Sequence, residues 1–207
     1  AARQVVIDAM DIHGGKGVVE GPNNPVSGMY QGVPVAITVE GANYLTRGLM
    51  VFGQGAFMAH PHIMEGIRAA KENDSKKAFK FATDFVKHAF NNAARSAFYG
   101  LTNGRFSPVP QQDGPDKKYC RQINRLSSSF AYTADVIMMS YQSKLMREEN
   151  ISALLGDVSS HLYMASAVVR RWNYEGRKKE DQPMMEWAAT NCLHKAESAM
   201  NKLVENL

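Results

Sequence analysis

The 207-residue sequence predicts an all-α protein, an up-and-down helical bundle with additional C-terminal helices, and three observations point there. From about His62 onward, apolar residues recur in steps of three and four over long stretches, the spacing that lines one face of a helix. One clear linker, Leu101 to Asp116 (LTNGRFSPVPQQDGPD), divides those stretches, and its Gly and Pro residues stop any helix. Strand signal is confined to Val33–Val39 (VPVAITV), where Pro34 argues against a central strand.

In chain order, a helical run over Val5 to Ile12 ends at Gly14-Gly15-Lys16-Gly17. Between Gly14 and Gly55 the chain is rich in glycine and carries Pro22, Pro25 and Pro34, a composition of loops with specified shape. A further helical pattern covers Tyr44 to Phe52. The next long helix runs from Ser75, read as its cap, to Tyr99, with Phe79, Ala82, Phe85 or Val86, Ala89, Ala93 and Ala97 on the inner face. After the linker, Tyr119, Ile123, Leu126, Phe130, Ala134, Ile137, Tyr141 and Leu145 define a bundle helix. Asn150 is read as the cap of the following one, which turns Ile151, Leu154, Leu155, Val158, Leu162, Ala165, Val169 and Trp172 inward. Beyond a polar break at Tyr174–Gln182, Pro183 occupies a first turn, and a last helix runs inward through Trp187, Cys192, Ala196, Met200 and Leu203.

Composition narrows the functional classes. Hydrophobic residues make up 44% and charged residues 21%, so the chain has enough apolar material for a core and is no polyelectrolyte. The net charge of +4 is scattered over short pairs and triplets such as Lys76-Lys77 and Arg177-Lys178-Lys179, which argues against nucleic acid. Cys120 and Cys192 are too few for a disulfide framework or a four-cysteine zinc site and fit a reducing compartment. No apolar run approaches the ~18–20 residues of a membrane span. The expected location is therefore the cytoplasm, at most peripheral at the inner membrane. The chain opens directly on an apolar-periodic segment without a cap, as expected of a piece of a longer protein.

Three motifs bear on chemistry. Gly14, Gly15 and Gly17 form a turn with two readings, a helix C-cap or a backbone cradle for phosphate oxygens, and the spacing is not that of a Walker loop. Gly53-Gln54-Gly55-Ala56-Phe57-Met58-Ala59 satisfies a dinucleotide-binding expression but follows a helical pattern, so it reads as a helix terminus. Glu40 is the sole side chain charged at neutral pH in VPVAITVEGANY. Desolvation there would raise its pKa toward that of a working base, while the plainer reading is a first-turn Glu favoured by the helix dipole. Along the sequence, His13, His60, His62, His88, His161 and His194 show no metal-ligand spacing, His60-Pro61-His62 reads as a polar helix start, and no metal is expected.

The order and distance of two of these features are more specific than either alone. DAMDIHGGKGV at 8–18 followed by VEGANYLTRGLMV at 39–51 resembles the C-terminal helical domain of the acyl-CoA dehydrogenases, where a D-A-x-Q-I-x-G-G-x-G turn precedes a Y-E-G-T-x-x-I-Q-R segment. The helical tail resembles the C-terminal extension of the bacterial FadE-type enzymes of fatty acid β-oxidation. The resemblance divides the chain into a catalytic-domain segment, 1–70, and a helical extension, 71–207. It implies FAD as cofactor and a fatty acyl-CoA as substrate, with trans-2-enoyl-CoA as product. Glu40 matches the carboxylate that removes the α-proton, and Gly41, the glycine after it, is implied at the substrate. Gly14, Gly15, Gly17 and Asp11 fall where the family approaches the adenosine-pyrophosphate end of a flavin held mainly by a neighbouring subunit. That implies a homo-oligomer, and the resemblance allows an electron-transfer flavoprotein as partner.

The sequence departs from the family pattern at Asp11 (usually Gln), Ala42 (usually Thr) and Val39 (often aromatic). Asp11 beside a pyrophosphate is repulsive unless Lys16 or another cation offsets it. The family also places an N-terminal helical domain and a β-barrel upstream, so the piece alone is expected to be inactive. Two alternatives stand beside this reading. The helices from Ser75 to Leu207 form a non-catalytic interaction or membrane-docking module, with Arg170, Arg171, Arg177, Lys178 and Lys179 flanking Trp172 and Tyr174 as a basic-aromatic cluster, or the parent is an acyl-CoA oxidase.

Overall fold

The computed structural model describes residues 2–35, 46, 48, 55, 60–110, 114–141, 144–145 and 147–206. Its chain falls into two compact units, Ala1–Thr46 and Arg47–Leu207. Among the described residues there is no strand, as the sequence predicts, and no helix is long and apolar enough to cross a membrane.

The first unit contains α1 (Ala2–His13), the single turn α2 (Gly15–Val18), α3 (Pro25–Gly32) and a 3₁₀ turn over Val33–Val35, in keeping with Pro34 arguing against a strand there. Gly14, at φ 55, ends α1, and its N–H is donated back to the carbonyls of Met10 and Asp11. Asn24 organises the rest. Its Oδ1 accepts the N–H groups of Val26 and Ser27 to cap α3, with Pro25 in the first turn. Its Nδ2 donates to the carbonyls of Lys16, Gly17 and Val19 at 2.6–2.9 Å, tying the end of the glycine turn to the start of α3.

The second unit holds α4 (Ile63–Glu72), α5 (Ser75–Leu101), α6 (Asp116–Tyr141), α7 (Glu149–Tyr174) and α8 (Gln182–Glu205). Its core lies between α6, α7 and α8, where Tyr119, Leu126, Val158, Leu162, Val169, Trp172 and Met185 pack around Ala165, Ala189, Ala196 and Ala199. The small side chains at these positions let α7 and α8 approach closely along much of their length. A second cluster, Ala134, Ile137, Leu145, Ile151, Leu155 and Leu203, continues the core toward the end of α6.

The inner faces of α6 and α7 are those expected from periodicity, although α6 stops at Tyr141 and Leu145 is buried from the turn beyond it. Other expectations need correction. Asp74, one residue before Ser75, caps α5 by accepting the N–H groups of Lys76 and Lys77. Asn150 lies inside the first turn of α7 and is not its cap. Trp187 faces outward at 69% exposure.

The largest difference concerns α5, which is rotated from the face its apolar residues suggest: Phe85, Ala89 and Ala93 are half-buried, with Phe85 stacked on His60, but Ala82 and Ala97 are exposed. Phe79, Val86 and Phe90 are 73%, 59% and 75% exposed, whereas Asn92 is buried and Ser96 reaches the Ser129 hydroxyl on α6 at 3.3 Å. The polar row faces inward because α6 supplies partners for it, and a hydrogen-bonded polar row can be buried where an unpartnered one cannot.

The linker expected at Leu101–Asp116 does separate α5 from α6, and it is anchored. Gln122 donates to the Asn103 side chain, and Asn124 donates to the Pro108 carbonyl at 2.6 Å. Gly104 makes the turn at φ 69, and a Cβ there would lie 2.6 Å from the Arg121 carbonyl oxygen. Gly104→Ala combines a left-handed backbone with a clash against main chain. It is expected to cost about 1–3 kcal/mol, read as a lower urea midpoint at unchanged m-value.

Candidate functional site

Of the residues singled out from sequence, Asp11, Gly14, Gly15 and Gly17 lie in the first unit, while Glu40 and Gly41 fall outside the described residues. Gly14 and Gly15 face open space, since a Cβ at either would meet nothing within 4 Å. Gly17 differs: it is buried, and a Cβ would come to 3.3 Å from His13 and Met10, so glycine permits α1 and the turn to close. Ile12, His13, Gly15 and Lys16 line a shallow open depression beside this turn. The Gly14 N–H is already donated to Met10 and Asp11, so what the depression offers an anionic group is the open backbone at Gly15 and the Lys16 side chain. Asp11, exposed at the end of α1, is the group that opposes an anion there.

The second unit contains a polar centre that spacing along the chain does not reveal. His60 and His62 precede α4, His88 and Asn92 stand one turn apart on α5, and Asp135 projects from α6. Asp135 and His60 have side chains only 3% and 6% exposed, and His60 Nε2 lies 3.3 Å from Asp135 Oδ1. His88 Nε2 lies 4.0 Å from Asp135 Oδ2. Asn92 Nδ2 donates to Asp135 Oδ2 at 2.7 Å and also stands 3.0 Å from His88 Nε2. Arg95 Nη2 donates to Asn92 Oδ1 at 2.8 Å, which fixes the orientation of that amide. Burial, only partly opposed by the Asp135 charge, holds His88 below the usual imidazole pKa, and His60, His62 and Arg95 add to the depression.

The rings of His60, His62 and His88 lie with centroids 5.1–6.0 Å apart, and His60 stacks on Phe85 at 5.1 Å. His60-Pro61-His62 does start a helix, as expected, and its two rings also join the cluster. His62 occupies the cap position of α4 without a side-chain capping bond, and both side chains turn toward α5. The signal that could have found the cluster is weak: a His and an Asn at i and i+4 on α5, and an Asp inside the apolar row of α6.

A second buried charge pins the far end of the unit. Asp116, the first residue of α6, accepts Arg177 Nη2 at 2.6 Å and Asn173 Nδ2 at 3.0 Å. The Arg177 guanidinium lies 5.4 Å from the Trp172 ring, and Trp172 Nε1 donates to the Lys178 carbonyl. Trp172 is buried, and Arg171 pairs with Glu175. This geometry commits Trp172 and Arg177 of the basic-aromatic cluster to holding the α7–α8 connection. Burial pushes both Cys120 and Cys192 thiols up, so neither is poised as a nucleophile.

No solved structure matches the chain. Residues 57–207 match the family described as acyl-CoA dehydrogenase, C-terminal, bacterial type. That region is the second unit almost entire, and its all-helical fold agrees with the match. The chain belongs to the bacterial-type acyl-CoA dehydrogenase C-terminal family, which marks the parent enzyme as a dehydrogenase.

Proposed function

We propose that the chain is the C-terminal part of a flavin-dependent acyl-CoA dehydrogenase that converts a fatty acyl-CoA to trans-2-enoyl-CoA. The observation that carries this reading is the family match over residues 57–207, which follows the two sequence motifs at 8–18 and 39–51. Segment 1–70 contributes to catalysis and cofactor contact, and 71–207 is the extension. Glu40 takes the α-proton of the thioester, with Gly41 leaving room for the acyl chain at the backbone beside it. A thioester α-hydrogen is a weak acid, so its base works best where water is excluded, as the apolar neighbours of Glu40 in VPVAITVEGANY favour.

FAD, when bound, supplies the acceptor for the β-hydride. Among the described residues, the open backbone at Gly15 and the Lys16 cation suit its pyrophosphate, with Gly14 ending α1 beside them, Gly17 keeping the turn tight and Asp11 setting a limit on how closely the anion approaches. In this reading the flavin belongs mainly to a neighbouring subunit, so the enzyme is a homo-oligomer that passes electrons to an electron-transfer flavoprotein. The 207 residues alone are inactive, because the family places most acyl-CoA and flavin contacts in upstream domains.

Ferricenium-coupled oxidation of palmitoyl-CoA tests both statements. The full-length parent is expected to turn over and the isolated chain with added FAD is not. An inactive parent of intact flavin content across chain lengths would remove the dehydrogenase assignment, and turnover by the isolated chain would remove the second claim.

A further inference from the structure

The cluster at the α4–α5–α6 junction has the donor set of a transition-metal site. One donor atom from each of His60, His88 and Asp135 lies within 4.8 Å of the others. Zinc bonds of about 2.0–2.2 Å to nitrogen and oxygen place tetrahedral ligands about 3.3–3.5 Å apart. The His60 Nε2 to Asp135 Oδ1 separation of 3.3 Å already has that value, and His88 Nε2 lies 4.0 Å from the other carboxylate oxygen, Oδ2, so closing on one ion calls for a small movement of His88.

A further observation points to a ligand here. His62 Nδ1 is a buried nitrogen that makes no hydrogen bond, although buried imidazole nitrogens ordinarily have a partner, and His60 Nε2 faces the Asp135 carboxylate at 3.3 Å without hydrogen-bond geometry. The amide of Asn92, held by Arg95 and Asp135, presents an N–H to His88 Nε2, so Nε2 is the unprotonated nitrogen of that ring and a metal there has to displace Asn92 from its lone pair. We propose that His60, His88 and Asp135 bind one Zn²⁺, with His62 as the nearest candidate for a fourth position, and that the ion fastens the start of α4 to α5 and α6.

The site has a definable cost. His60 Nδ1 accepts the His62 backbone N–H at 3.2 Å, so without metal its ring hydrogen sits on Nε2. Zinc on Nε2 moves that hydrogen to Nδ1 and breaks the bond from His62. The proton stays on the ring, and the metal takes the lone pair of Nε2. The Asn92 donor to His88 is displaced in the same way and keeps its bond to Asp135. Ligation by two imidazoles and a carboxylate replaces these weak local contacts, and the three ligands come from separate elements that packing already brings together.

The test uses the full chain without a histidine tag, stripped with chelator and titrated with Zn²⁺ by calorimetry, with Co²⁺ as a spectroscopic probe. The expected result is one Zn²⁺ per chain, a raised Tm on loading, and a visible tetrahedral Co²⁺ band. His88→Ala and Asp135→Asn are expected to weaken Zn²⁺ binding at least tenfold. His13→Ala, whose histidine lies in the other unit, leaves it unchanged. Far-UV circular dichroism checks that the variants remain helical. If either ligand variant unfolds, the Co²⁺ spectrum of the wild-type chain decides by its coordination geometry. Absence of stoichiometric binding, an octahedral Co²⁺ spectrum, or unaltered affinity in folded His88→Ala protein would overturn the proposal and leave Asp135 held by hydrogen bonds alone.

Discussion

Glu40→Gln in the full-length enzyme is expected to lower kcat for acyl-CoA oxidation by about 10²–10⁴-fold, the range that a positioned general base contributes. Glutamine keeps the volume of the side chain and removes its ability to take a proton, so KM and flavin content should change little. The loss should fall on the step in which the α-proton leaves, and it should not be recovered at longer or shorter acyl chains. Stopped-flow reduction of the bound flavin by palmitoyl-CoA measures it, and reduction at the wild-type rate would assign the base to another residue.

Asp116→Ala is expected to be the most destabilising single change in the second unit, at about 3–5 kcal/mol. The substitution leaves Arg177 Nη2 and Asn173 Nδ2 without the carboxylate that receives them, at a point where the Asp116 side chain is 2% exposed. It also releases the connection that places Arg177 over Trp172 at the end of α7. For a chain of this size the change corresponds to a fall in Tm of roughly 6–20 °C.

The same carboxylate makes stability depend on pH. Burial pushes the Asp116 pKa up, but the hydrogen bonds from Arg177 and Asn173 and the Arg177 charge outweigh it and hold the group below the usual carboxylate value. A depressed folded-state pKa means that the unfolded chain binds the proton first. The contribution is therefore complete above the ordinary aspartate pKa and is lost as pH falls through the lower folded-state value. Calorimetric Tm measured from neutral to acid pH should decline less steeply in Asp116→Asn than in the wild type.

Much of the bundle was legible in the sequence because its evidence is local. Periodicity placed the inner faces of α6 and α7, and the Gly and Pro residues of LTNGRFSPVPQQDGPD marked the boundary between α5 and α6. Local evidence failed where a distant partner decides. The apolar row of α5 reads as a core face, yet Asn92 and Ser96 are turned inward because Asp135 and Ser129 wait for them on α6. Asp116 and Arg177 are 61 positions apart, and nothing near either residue announces the pair. The histidine cluster was hidden for the same reason, since three elements must pack before His60, His88 and Asp135 meet. On the functional side, the turn at Gly14 was readable as a helix end, and the structure bears out that φ is positive there. Which group the turn serves is a matter of chemistry beyond the turn itself.

The most direct test concerns the carboxylate at position 40. A 3-thia acyl-CoA has no β-hydride to give, so only removal of its α-proton can proceed, and exchange of that position with solvent deuterium reports the base alone. The full-length wild-type enzyme should exchange the α-hydrogen, and the Glu40→Gln enzyme with intact flavin should not. Exchange at the wild-type rate in Glu40→Gln protein would contradict the account.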